Sequence, residues 1–127
     1  MSPVRHSVTG DALSFSLSEQ IEIVRRELGS SSGRIARTVS KNGELRVTLV
    51  GLNAGGALQE HHSAGPITIQ VLEGAIDLEA GGKAWQLRPG MLLALDAGVP
   101  HAVTSKVGGF FLLTVVRPSE GSARHKE

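Results

Sequence analysis

Between Leu58 and Gly74 the chain reads LQEHHSAGPITIQVLEG, which sets Glu60, His61 and His62 in a row; a further histidine, His101, follows Val99 and Pro100 in GVPHAVTS. If Glu60, His62 and His101 converge, two imidazoles and one carboxylate make a facial triad that suits iron and also manganese, nickel or zinc. Such an ion keeps positions open for water or a substrate oxygen, and it polarises that ligand or lowers the pKa of bound water. The plainer reading makes the same histidines a polar rim on a small β domain that holds no metal. Alternation along a strand puts Glu60 and His62 on one face and His61 on the other. A bulge or a one-residue shift would instead present Gln59, His61 and Ser63. His101 follows a proline whose fixed φ aims it reproducibly.

Other polar residues point to structure before chemistry. Thr68 and Gln70 fall on the face opposite Ile67 and are expected to meet solvent. Arg46 alternates with Leu45 and Val47 and is expected outward, in a surface ion pair of little energetic worth. Asp96 can accept a hydrogen bond from the Ala97-Gly98 turn, a capping role. Trp85, the sole tryptophan, is expected to anchor a core or an interface. His6 and His125 lie near the termini and are expected to be solvated. No glycine-rich stretch joins a strand to a helix with the Lys-Ser/Thr pair of a phosphate loop, and there is no nucleophile-elbow sequence.

Strands must position these residues. Leu17, Ile21, Val24 and Leu28 recur at helical spacing, and with Ser18 as N-cap and Gly29 as terminator they predict one amphipathic helix over 18–28. After SSSG at 30–33 the period becomes that of strands. The segments 34–40 and 44–51 flank Lys41-Asn42-Gly43, whose Asn-Gly pair is a hairpin signal. Further runs at 66–72, 75–79, 84–87, 91–95, 102–107 and 110–116 are separated by turns, notably Gly81-Gly82 and Arg88-Pro89-Gly90. Eight or nine short strands at such intervals predict a closed barrel or a jelly roll. Residues 1–32 are assigned to an N-terminal arm, loose up to residue 16, and the helix; residues 33–117 to the barrel; residues 118–127 to a mobile polar tail.

The composition fits that architecture. The chain has 127 residues, enough for one ordinary domain, with 40% hydrophobic and 20% charged residues. A formal net charge of +1 points to neither nucleic acid nor membrane as a partner. There is no cysteine, which removes disulfides, zinc ribbons and thiolate nucleophiles. The N-terminal MSPVRHSVTGDALSFSLSEQ lacks the apolar core of a signal peptide, so the cytoplasm is the expected location. The 16 glycines beside only 3% aromatics are how turns between short strands read.

Two segments together resemble the cupin superfamily, small jelly-roll barrels whose two motifs carry metal ligands. In the second motif Gly90, Gly98 and His101 fall in register, with Asp96 in place of the family's proline and Ser105 in place of its asparagine. In the first, anchoring on Gly74 puts Ile67 at the family's glutamate, His62 at its second histidine and Glu60 at its first. The resemblance runs from about Arg34 to Val116 and leaves the helix outside. It implies an all-β double-stranded β-helix barrel and a divalent metal site, with Glu60, His62 and His101 as ligands and His61 as the alternative under a register shift. It also implies a substrate pocket lined by Ile67, Ile69, Val71, Leu93 and Val103, and a homodimer. The activity implied is that of a metal-dependent oxygenase, isomerase or lyase acting on a small metabolite; the alternatives are a metal-free binding or sensing module and a mainly structural dimer.

Overall fold

A computed structural model describes residues 7–29 and 33–118. Its elements run α1 (Leu17–Leu28), β1 (Arg34–Asn42), β2 (Leu45–Leu52), β3 (Ala57–His61), β4 (Ile67–Gly74), β5 (Ile76–Ala80), β6 (Lys83–Leu87), β7 (Leu92–Leu95), β8 (His101–Thr104) and β9 (Gly109–Val116). The expected His6, His125 and tail lie outside the described residues.

The helix starts one residue earlier than its periodicity predicts because Ser16, and not Ser18, is the cap. Ser16 is extended, and its Oγ accepts a hydrogen bond from the Glu19 N–H at 3.2 Å. Residues 7–10, expected to be loose, run beside the first hairpin: Lys41 N–H donates to the Val8 carbonyl at 2.6 Å, and Gly10 N–H to Asn42 Oδ1 at 3.0 Å.

The strands form two sheets, with orders β1-β2-β9-β4-β7 and β3-β8-β5-β6. This is a jelly-roll sandwich, one of the two architectures expected, and its sheets do not close into a barrel. Only the β1-β2 and β5-β6 hairpins stay within one sheet; every other connection crosses to the facing sheet. The second hairpin turns on Gly81-Gly82, with φ of 57° and 79°, positive at both central positions as a type I′ turn requires. β3, the one strand not marked by the sequence pattern, is mostly exposed and has little apolar alternation.

One end of the sandwich is tied shut. Ser105, 1% exposed, donates its hydroxyl to the Ala75 carbonyl at 2.6 Å and accepts from Gly108 N–H at 2.8 Å, while its own carbonyl accepts from Gly55 N–H at 2.7 Å. The opposite end, where β8 begins and β3 ends, carries the histidines.

Two cores flank the larger sheet. Between the sheets lie Val50, Leu52, Ile67, Ile69, Val71, Ile76, Leu78, Leu87, Val103 and Phe111. On the other face α1 packs Ile21, Val24 and Leu28 against Val39, Leu49 and Phe110. The helix comes so close that a Cβ on Gly51 would stand 2.7 Å from Val24 Cγ1 and 2.9 Å from the Phe110 ring. Arg25 bridges to the Glu73 carboxylate at 2.8 Å and lies 4.9 Å from the centre of the Phe110 ring.

This second core corrects the reading of Arg46. The Val47 and Leu49 face of β2 is buried under the helix, so the alternate face, Arg46, Thr48, Val50 and Leu52, points between the sheets. Arg46 is partly buried and directed inward.

Candidate functional site

β3 and β8 pair antiparallel, with Leu58 opposite Val103 and His61 opposite His101. Three steps along β3 thus match two along β8. The extra residue is a bulge, and it decides the register: His61, and not His62, shares the interior face with His101. Directly opposed residues of antiparallel strands project to the same side, and on the far side of β8 His101 is opposite Ala80, which is buried. The inward row at this end is therefore Ala80, His101, His61.

The two rings meet edge to face, with centroids 4.2 Å apart and planes at 63°. Each is oriented by the backbone two residues before it: His61 Nδ1 lies 2.9 Å from the Gln59 carbonyl, and His101 Nδ1 lies 3.0 Å from the Val99 carbonyl. A carbonyl oxygen can only accept, so each Nδ1 carries the proton and a neutral ring keeps a lone pair on Nε2. The pair thereby offers two adjacent acceptors.

Their surroundings differ. His101 is 3% exposed, whereas His61 is exposed at the rim. Burial pushes the His101 pKa below the ordinary histidine value; the Val99 carbonyl acts in the opposite sense, and nearby His61 and His62 lower it further. Pro100 and the turn before it set up this burial: Asp96 accepts from Ala97 N–H at 2.7 Å, in the capping role expected of it, and β8 begins at His101 itself.

Glu60 goes elsewhere. It lines a groove of about 380 Å³ on the outer face of the smaller sheet, with Glu79, Ala84 and Ala102. His62 follows β3 and is exposed. The family position for a glutamate is held by Ile67, 3% exposed. Among the described residues no three His, Asp or Glu side chains gather in a way that could hold a metal ion. Catalytic zinc centres ordinarily take three protein ligands beside an open position; His61 and His101 supply two nitrogens, and the aliphatic Ile67 supplies nothing. The donor set therefore does not fit a complete metal centre.

The residues expected to line a pocket all face between the sheets: Ile67, Ile69, Val71 and Val103 are buried in the inner core, and Leu93 packs against it partly buried. Thr68 and Gln70 lie on the other face of β4, Gln70 exposed. Trp85 is partly buried against the inner core, as expected of an anchor. Sequence reasoning missed Arg46, whose Nε is buried without a hydrogen-bond partner among the described residues.

Solved structures share this fold. A conserved protein of unknown function from Streptococcus pyogenes aligns with a TM-score of 0.69 at 20% identity, over 94% of this chain and 99% of that one. A cupin superfamily protein from Desulfitobacterium hafniense aligns with a TM-score of 0.72 at 16% identity, over 90% and 99%. The cupin domain of an XRE family transcriptional regulator from Enterobacter cloacae aligns with a TM-score of 0.62 at 17% identity, over 69% and 100%. No curated protein matches the chain. The sequence profile of the cupin domain matches residues 43–116, from the first hairpin turn to the end of β9, and by that match the chain belongs to the cupin family.

Proposed function

We propose that this cupin binds a small metabolite at the histidine end of the sandwich and acts as a binding or sensing module. The observation that carries the reading is the His61–His101 pair, its rings edge to face and its Nδ1 atoms committed to backbone carbonyls, which leaves each neutral ring an acceptor at Nε2. Ile67 and the partly buried Leu93 and Leu95 bring an apolar wall to this end, the usual composition of a small-molecule site being mostly apolar walls with a few placed polar groups. A ligand hydroxyl or N–H is the complement of two imidazole acceptors.

A second reading has one specific observation in its favour. Metal-binding histidines commonly donate the other ring nitrogen to a carbonyl or carboxylate, which is how both rings are held here. In this reading His61 and His101 would hold a divalent ion, iron, manganese, nickel or zinc, with solvent completing the shell, and the ion would supply Lewis-acid or redox chemistry. Pairing of two copies belongs to either reading: Met91 and Leu92 stand 39% and 61% exposed at edge strand β7.

Elemental analysis of untagged protein, with His61→Ala and His101→Ala, separates the readings. The first predicts substoichiometric metal in all three proteins and thermal stabilisation by organic ligands in excess chelator. Stoichiometric metal that is lost in both variants, with every ligand effect abolished by chelation, would overturn it in favour of the second.

A further inference from the structure

We infer that Arg46 is the anion anchor of this ligand site, so that the metabolite it takes carries a carboxylate; the inference rests on the histidine end being the ligand site. Arg46 lies opposite Val115 of β9, Val115 opposite Ile67 of β4, and Ile67 opposite Leu95 of β7, so the inward row of the larger sheet at this level is Arg46, Val115, Ile67, Leu95. Connectivity puts that row at the histidine end. β2 passes to β3 through residues 53–56, so Arg46 near the start of β2 lies at the same end as His61, the last residue of β3. By the same reversal through 105–108, Val115 near the end of β9 lies at the same end as His101, which starts β8. The larger sheet thus brings an arginine beside three aliphatic residues to this end, and the smaller sheet brings two imidazoles beside an alanine.

The buried Arg46 Nε has no hydrogen-bond partner among the described residues. A guanidinium N–H taken out of water without an acceptor is costly, and a carboxylate matches its fork with two parallel bonds. Two carboxylates near this end turn away, Glu60 lining the outer groove with Glu79 and Asp96 accepting from its own turn, and Glu44, which precedes β2, is exposed. With Ile67 where the family has its glutamate, the inward row of the larger sheet at this end carries one arginine and, among the described residues, no carboxylate. A carboxylate on Arg46 and a hydroxyl or N–H donated to the histidines together describe a small hydroxy or amino acid.

The test titrates the full chain, in excess chelator and at constant ionic strength, with lactate, propionate and 1,2-propanediol, read by calorimetry and thermal shift. Both acids should bind and stabilise, lactate more tightly than propionate. Arg46→Gln should weaken both acids by roughly tenfold or more and remove the preference of acid over diol, since a charge-assisted pair is lost. Arg46→Lys, which keeps the charge without the fork, should fall between. Arg46→Met, which replaces the buried N–H by an apolar group of similar length, is the control for folding. Unchanged acid affinity in Arg46→Gln or Arg46→Met would overturn the assignment, as would failure of both acids to bind wild type. Diol binding without acid binding removes Arg46 as the anchor and leaves the ligand site standing. Acid binding that depends on Arg46 but not on His61 or His101 keeps the anchor and sinks the histidine reading.

Discussion

His101 is the side chain whose placement has a direct reading in solution. Its folded pKa is held down by burial, while in the unfolded chain it returns to about 6.5. Between those values the unfolded state binds more protons, so stability is fully present above about pH 6.5 and is lost as pH falls through the folded pKa. Urea midpoints measured across this range should fall on acidification, and His101→Asn should flatten that slope. Arg46 behaves in the opposite way to most buried residues. Arg46→Met removes an unsatisfied donor and should raise stability by about 1 kcal/mol in urea melts while abolishing acid binding. These two residues also mark what the sequence conveyed. His101 was legible because Val99-Pro100 and the spacing from Gly90 and Gly98 fix it locally. The choice between His61 and His62 was not, because a bulge adds one residue between Leu58 and His61 and no residue type announces it. Arg46 was misread because alternation gives the period of a strand and not which of two apolar coverings each face receives.

At the scale of elements, the helix and the tied end make separate demands. Gly51 lets α1 lie against β2; Gly51→Ala puts a methyl within 2.7 Å of Val24 and should cost about 1–3 kcal/mol. Val24→Ala makes room, so the double variant should be more stable than the sum of the singles implies, a coupling that equilibrium melts of all four proteins would read. Ser105→Ala removes a buried hydroxyl that bonds Ala75 and Gly108 and should cost about 1–3 kcal/mol. An unchanged melting temperature would show that Ser105 does not hold that end. The helix was legible to within a residue from its apolar spacing, and its cap was missed because Ser16 and Ser18 both qualify by type. Only the hydrogen bond to Glu19 distinguishes them.

For the whole molecule, the strand count and the jelly-roll topology were legible in the turns, since Gly81-Gly82 and Gly43 sit where a hairpin reverses. The division into two sheets was not, because pairing across a sheet is a long-range choice that local period does not encode. Among the described residues no helix is long and apolar enough to cross a membrane. Sedimentation equilibrium should find a dimer, and Leu92→Lys, which places a charge at the exposed edge strand, should shift it toward monomer.

The two cores also fix how the molecule comes apart. Phe110 faces the helix and its neighbour Phe111 faces the second sheet; Leu49 and Val50 divide in the same way. Neither cluster can loosen without displacing a backbone that the other one grips, so β2 and β9 act as a shared spine. Heating should therefore give one calorimetric transition whose van't Hoff and measured enthalpies agree. In amide exchange the slowest protons should be those of β2 and β9, with the helix amides opening in the same cooperative event rather than before it. A ligand that stiffens the histidine end would then be felt along that spine, as slowed exchange in a helix it never touches.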